Sequence, residues 1–124
     1  MAAPNIVNVS SIIGITTAID LTTTNVTTFL SNAASSGKVF KINTIIASNI
    51  DGTNPADITV KYHLAAVGAG TSVALVNTVT VPADASLVVI GKDSPIYLEE
   101  NRSLTAQATG SSDIAIVCSY EDIS

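Results

Sequence analysis

His63 is the single histidine of the chain, and a general base or a metal ligand of the usual kind would have to be this residue. It falls beside Thr59 and Lys61 on the polar face of a predicted strand, and its nearest carboxylate in the sequence is Asp57. No Gly-x-Ser-x-Gly turn or Cys-His pairing accompanies it. The polar face of a half-buried strand is exposed to solvent. We therefore predict a surface histidine that takes no part in catalysis.

Cys118 is the single cysteine, which excludes a disulfide within the chain. It shares one face of a predicted strand with Ile114, Ile116 and Tyr120, where a buried thiol behaves as a small hydrophobic group. No neighbouring charge in the sequence would lower its pKa, so we expect an unreactive thiol. One histidine and one cysteine also exclude an ordinary zinc site.

The carboxylates predict turns rather than a catalytic pair. In Glu99-Glu100 and Glu121-Asp122 the side chains are adjacent, and adjacent residues of a strand point to opposite faces. We expect Glu99-Glu100-Asn101 to form a charged turn that keeps two strand ends in water. The loop acids act first as turn formers, and a calcium site built from two loops stays open as an alternative; these acids are Asp51, Asp57, Asp84 and Asp93.

The remaining motifs carry little chemistry. Gly68-Ala69-Gly70 has no following lysine and no helix, so it is not a phosphate loop. Tyr62, Tyr97 and Tyr120 are the only tyrosines, and tryptophan is absent, although stacked aromatic rings are what a sugar-binding platform would need. The sequence therefore predicts no catalytic residue, no cofactor and no metal, and it predicts that the protein is not an enzyme.

The composition of the 124 residues favours β-structure. Val, Ile and Thr supply 43 residues, and β-branched side chains suit strands better than helices. Charged residues are only 12%, whereas Ser, Thr and Asn together supply 38 residues, so the surface is polar mainly through hydroxyls and amides. The net charge of −5 and the scattered basic residues predict no basic patch that could bind nucleic acid or anionic lipid.

Short runs with period-2 alternation, separated by turn residues, predict an all-β chain. The economical architecture is a single antiparallel β-sandwich of eight or nine short strands, jelly-roll-like, over residues 1–124. Residues 1–11 are expected to form an extended arm that can lie along a neighbour. The eight or nine strands are drawn from ten strand-like runs, at residues 6–15, 18–23, 26–30, 38–49, 57–66, 73–81, 86–90, 95–98, 102–108 and 114–120.

Two of these strands alternate clearly enough to assign faces. In residues 38–49, Phe40, Ile42 and Ile46 share one face, while Ile45 and Ala47 share the other. In residues 57–66 the apolar face is predicted to hold alternate residues from Ile58 to Leu64. Asp-Gly followed by Asn-Pro at residues 51–55 is the strongest turn signal between them.

The start of the chain lacks the basic region and apolar run of a signal peptide, and no apolar run reaches the length of a membrane helix. We expect assembly in a reducing cytoplasm, without a membrane partner. Uncharged strands also lack the lysines that monomeric sheet proteins use to block edge pairing. The sequence therefore favours a self-associating structural protein.

Several segments of the C-terminal two thirds look familiar together: Ser119-Tyr120-Glu121-Asp122-Ile123 and those at residues 38–43, 49–53, 56–60, 81–84, 86–90 and 95–100. These segments resemble small virion structural proteins of tailed bacteriophages, particularly those of marine cyanophages. Where the phage proteins that it resembles have Gly-Asp after the two glutamates, this chain has Asn101-Arg102. The resemblance implies a β-sandwich, often homotrimeric, placed on the virion after assembly in the host cytoplasm.

The resemblance implies a role in assembly and leaves its place open. The first expectation is a capsid decoration, or cement, protein that binds the major capsid protein and stabilises the head. The alternative is a tail, neck or fibre-anchoring component. A carbohydrate-binding module remains a third reading, because jelly rolls often hold sugars.

Overall fold

The structure, a computed structural model, describes residues 4–124. Nine strands account for most of this range, so the prediction of an all-β chain with eight or nine strands is confirmed. A single 3-10 turn at Ala66–Gly68 is the only helical segment within the described range, and it is far too short to cross a membrane. The strands are β1 (Ile12–Asp20), β2 (Thr27–Asn32), β3 (Val39–Asn49), β4 (Ala56–His63), β5 (Ser72–Val81), β6 (Ser86–Ile90), β7 (Ile96–Leu98), β8 (Arg102–Ala108) and β9 (Ile114–Ile123).

The strands form two antiparallel sheets that pack face to face. One sheet has the order β1-β9-β3-β6, with β7 also paired to β3, and the other has the order β2-β8-β4-β5. β6 pairs with residues 45–48 of β3 and β7 with residues 40–42. Because both run antiparallel to β3, they act as one strand interrupted at residues 91–95.

This order is that of a jelly roll. The chain doubles back between β4 and β5, so that β4 pairs with β5, β3 with β6 and β7, β2 with β8, and β1 with β9. The resulting ribbon wraps so that its successive strand pairs alternate between the two sheets. The predicted jelly-roll-like sandwich is therefore confirmed.

The core lies between the sheets and consists almost wholly of aliphatic side chains. Ile42 and Ile45 of one sheet face Ile58, Val60 and residues of β8 in the other, all fully buried. The ring centroids of Phe40 and Tyr120 lie 5.0 Å apart at an interplanar angle of 45°, a favourable tilted arrangement.

A β-bulge makes the predicted face assignment of β3 wrong in its second half. The pairing of β3 with β9 shifts between Ile42 and Thr44. Beyond the shift Ile45 and Ala47 turn inward and Ile46 turns outward, the reverse of strict alternation. One inserted residue exchanges the two faces of a strand.

The predicted strands at residues 6–15 and 18–23 are also wrong in their bounds, because a single strand, β1, replaces them. It pairs with β9 over nine residues without a register shift, from Ile12 opposite Ile123 to Asp20 opposite Ala115. Pairing with the long strand β9 extends β1 through Gly14 and Thr16-Thr17, where the sequence signal is weak. Ser11 and Ser124 extend the pairing by exchanging backbone hydrogen bonds of 3.0 Å in both directions.

The arm expected over residues 1–11 stays a prediction, and its first three residues lie outside the described range. Pro4 and Ile6 lie beside Val39 and Tyr97 around a shallow cavity of about 240 Å³. The Asn5 side chain accepts a hydrogen bond of 3.0 Å from the Val7 N–H, which holds a turn there.

Two buried asparagines connect strand ends across the molecule. The Asn49 amide donates to the backbone oxygens of Asn54, at 3.0 Å, and Val81, at 2.9 Å, and its oxygen accepts from the Asp51 N–H. The Asn32 amide likewise donates to the backbone oxygens of Lys38, at 2.9 Å, and Leu98, at 3.1 Å. Satisfied buried amides of this kind specify how loops join strands.

Replacing Asn49 with alanine should destabilise the fold. The substitution leaves two backbone oxygens and one N–H without their buried partner, and such a loss costs about 1–3 kcal/mol. We expect the midpoint of urea unfolding to fall accordingly, while Asn25→Ala, at an exposed position whose side chain makes no hydrogen bond in the structure, changes stability by less than about 0.5 kcal/mol. Equal midpoints for the two variants would contradict the role of Asn49.

Candidate functional site

His63 is not a surface residue, and the prediction that it is solvated is wrong. Only 7% of its surface is exposed. Its Nε2 lies 2.8 Å from the Thr105 hydroxyl, and its Nδ1 is enclosed without a hydrogen-bond partner among the described residues. No carboxylate contacts the ring through a hydrogen bond or ion pair in this range, so the arrangement is not that of a catalytic dyad.

The loop after β4 explains this burial. Residues 64–71 fold back over the outer face of the β2-β8-β4-β5 sheet, where the Gly68 N–H donates to the Ser103 hydroxyl at 2.8 Å and Ser103 donates to the Ala65 oxygen at 2.7 Å. A Cβ on Gly68 would lie 2.8 Å from the Thr28 hydroxyl, so glycine permits this close approach. A polar strand face that sequence alone places in water is thus covered by the chain itself.

The first acidic pair lies at a turn, and one of its two carboxylates is more enclosed than predicted. Glu99 and Asn101 are exposed at the turn between β7 and β8, but both carboxylate oxygens of Glu100 are shielded from solvent and lack a hydrogen-bond partner within residues 4–124. Glu121 and Asp122 lie in β9, where Asp122 forms an ion pair of 3.3 Å with Lys38.

Two of the loop acids, Asp51 and Asp84, lie on neighbouring loops that contact each other. The backbone N–H of Asp84 donates to the backbone oxygen of Asp51 at 3.2 Å, and this bond joins the two loops. The Thr53 N–H and the Asn54 amide bond to the Asp51 carboxylate and hold its pKa below the ordinary value. Across the described part of the chain, no three acidic, histidine or cysteine side chains are grouped to hold a metal ion.

A surface cavity of about 450 Å³, between β4, β5 and β8, has polar walls that are already paired. The Thr59 hydroxyl accepts from the Thr78 N–H at 2.9 Å, the Asp57 carboxylate accepts from the Thr80 hydroxyl at 2.7 Å, and the Gln107 amide donates to a backbone oxygen. A ligand would have to displace these bonds, so the cavity carries no sign of a built binding site.

The three tyrosines do not form a sugar platform. Tyr120 is buried against Phe40. Tyr62 donates its hydroxyl to the Tyr97 backbone oxygen at 3.1 Å, and partial burial, together with the charge of Glu99, raises the pKa of Tyr62. Tyr97 is the only one of the three with an exposed ring, and a single ring gives a sugar little to stack on.

Cys118 is fully buried in the core, as predicted. Burial raises the pKa of its thiol to about 12. The thiolate, which is the reactive form, is therefore disfavoured in the folded protein.

The edges of the two sheets are the remaining candidates for function. β2 is short and bulged, β5 has register shifts at two points in its pairing with β4, and the β6–β7 edge is interrupted at residues 91–95. β1 is nine residues long and regular, and within residues 4–124 no strand covers its outer side. Large apolar side chains are exposed at its start: Ile12 at 57% and Ile13 at 56%.

Sequence reasoning anticipated uncharged edges but did not identify β1. Charge does not single out this strand, because β1 carries one charge, Asp20, whereas the edge strands β2, β5, β6 and β7 carry none. Natural edge strands are ordinarily protected by lysine, proline, bulges or short length. β1 has none of these protections.

No family model matches the chain, and no curated protein sequence matches it. A solved structure described as "Bacillus endospore appendages form a novel family of disulfide-linked pili" is similar in fold, with a TM-score of 0.53 and 15% sequence identity. The match covers 92% of this chain and 88% of that chain. At this identity the likeness concerns the fold alone.

The buried thiol should make the protein less stable at high pH. Because the folded chain holds the Cys118 proton more tightly than an unfolded thiol, whose pKa is about 8.5, stability is lost as the pH rises from about 9 to about 12. Unfolding free energies from urea titrations should fall more steeply above pH ~9 for the wild type than for Cys118→Ala, by up to about 1.4 kcal/mol per pH unit. Parallel pH profiles would contradict this account.

Proposed function

We propose that this chain is a non-enzymatic structural subunit that acts by binding protein surfaces, including copies of itself. The observation that carries the proposal is β1, a long, regular edge strand with exposed isoleucines at its start. Unpaired strand edges and exposed apolar side chains are what association requires.

The positions of the single histidine and the single cysteine support the same proposal. His63 and Cys118 are buried in structural positions, and polar side chains that line the 450 Å³ cavity already have hydrogen-bond partners within the protein. An enzyme needs a reactive group within reach of a substrate. Among the described residues such a group and such a cavity do not coincide.

As the more specific role we propose a capsid decoration protein of a tailed phage. Support comes from the resemblance of the C-terminal two thirds to small phage virion proteins and from a surface rich in hydroxyls and poor in charge. Such a protein would sit as a homotrimer over joints between major capsid subunits in the virion, after assembly in the host cytoplasm. Any contact made only with the assembled shell stabilises that shell.

Two other structural roles fit the same surface. A tail, neck or fibre-anchoring position would use it at much lower copy number. A filament subunit is favoured by the fold likeness to the endospore appendage structure. The single cysteine of this chain lies in the core, so it is not placed to form a disulfide link between subunits like the one named for those pili. Filaments formed by the purified chain under reducing conditions would favour that role over decoration.

Copy number in the particle tests the decoration role. We expect hundreds of copies per virion, by quantitative mass spectrometry against the major capsid protein, because a cement protein must cover the whole shell. A tail or neck ring would contain on the order of six to eighteen copies, which follows from closed ring symmetry. Heads lacking the protein should also lose resistance to heat. Absence from particles, or heads of unchanged stability, would contradict decoration.

A further inference from the structure

The backbone hydrogen bonds of β1 show which of its groups remain unpaired. Ser11 and Ser124 exchange two hydrogen bonds, and the Leu21 N–H donates to the Ile114 oxygen at 2.9 Å. Because hydrogen-bonded and non-hydrogen-bonded pairs alternate along an antiparallel ladder, the odd-numbered residues of β1 bond to β9. The even-numbered residues direct their N–H and C=O groups to the outer side: Ile12, Gly14, Thr16, Ala18 and Asp20.

The side chains of β1 alternate in the same way. Ile13, Ile15 and Ile19 point toward the core, yet none of them is fully buried, and Ile13 is 56% exposed. β1 contacts the opposite sheet only sparsely, through β2. The apolar core is therefore open to the side at this edge, directly beside the unpaired backbone groups.

We propose that β1 pairs with β1 of a second copy of this chain, antiparallel about a two-fold axis through Thr16. This inference rests on the proposed function and names its contact. In this register Ile12 lies opposite Asp20 of the other copy, and Gly14 lies opposite its Ala18. All five N–H and all five C=O groups on the outer side then find partners.

The same register continues the two cores. Ile13 of each copy lies opposite Ile19 of the other, and Ile15 lies opposite Thr17, on the inner face of the joined sheet. Cross-strand pairs of β-branched side chains stabilise antiparallel sheets. The pairing therefore buries the half-exposed isoleucines and, at the same time, gives hydrogen-bond partners to the outer N–H and C=O groups of β1.

Charge also favours a second copy as the occupant. Asp20 is the only charge in β1, and the register places the two Asp20 residues at opposite ends of the contact, each against an isoleucine. Eight residue steps at about 3.4 Å separate them, well beyond the screening length at physiological salt. The strand is self-complementary, as a two-fold contact requires.

This contact closes with two copies, whereas a trimer requires a different, heterologous contact. If the chain forms the trimer implied by the phage resemblance through another face, pairing at β1 joins one trimer to the next. A single strand from each copy makes a small interface compared with the roughly 1,200–2,000 Å² of stable complexes. We therefore expect weak pairing in dilute solution that repetition strengthens in an assembly.

Cysteine cross-linking tests the register. In a Cys118→Ala background, Thr16→Cys places two thiols across the two-fold axis, with Cα atoms about 5.5 Å apart, within reach of a disulfide or a short thiol cross-linker. Ala18→Cys is the matched control, because both side chains are exposed on the same face. The register separates the two position-18 Cα atoms by about 14 Å.

At high protein concentration we expect Thr16→Cys to form covalent dimers at least tenfold faster than Ala18→Cys. Equal rates, a faster reaction of Ala18→Cys, or no dimer from either variant would overturn the proposed pairing.

Proline at position 16 tests the hydrogen bonds themselves. Thr16→Pro removes an N–H that points away from β9, so an edge strand can accept it, and it should abolish β1 pairing. Thr16→Val keeps the N–H and should preserve pairing. Sedimentation of the full chain measures the loss, and circular dichroism confirms that each variant is folded. If Thr16→Pro fails to fold, the cross-linking comparison decides alone.

The outcomes separate this inference from the structural role. If folded Thr16→Pro associates to the same extent as Thr16→Val, pairing at β1 is overturned and the chain remains a structural subunit that uses another surface. A chain that stays monomeric at every concentration and is absent from particles overturns both.

Discussion

The pairing of backbone N–H and C=O groups at the sheet edges is the constraint on which this structure depends. A two-sheet jelly roll pairs its central strands on both sides but leaves edges in each sheet. In the described chain, bulges interrupt β2 and β5, and a loop interrupts the β6–β7 edge. β1 is held by β9 alone, along its whole length and in perfect register. An unpaired edge of this kind either leads to aggregation or pairs with a specific partner. The proposed function assigns it a specific partner.

The same constraint explains why the polar residues of the chain do so little chemistry. The Asn49 amide donates to the backbone oxygens of Asn54 and Val81. Ser103 bonds to the loop that covers it, and Thr105 bonds to His63. With few charges available, hydroxyls and amides satisfy the buried backbone. What remains for function is surface: a strand edge and the apolar side chains beside it.

The sequence predicted the fold class because period-2 alternation and β-branched residues report directly on half-buried strands. It could not predict the inward turn of Ile45, since adjacent isoleucines at 45 and 46 fit either face and only the bulge decides between them. It predicted that His63 is exposed to water, because the alternation within β4 contains no information about a loop that folds back over the strand. The sequence predicted that an unprotected sheet edge exists, but it did not predict which strand forms that edge. The order of strands in a sheet depends on long-range pairing.

Amide hydrogen exchange along β1 tests the central claim most directly. In dilute solution the N–H groups of residues 12, 14, 16, 18 and 20 should exchange quickly, while those of residues 13, 15, 17 and 19 are protected by β9. In the concentrated or assembled protein the even-numbered amides should become protected as well, with no change of pattern elsewhere in the strand. Even-numbered amides that are already protected in the dilute monomer, or that stay unprotected in the assembly, would contradict the account.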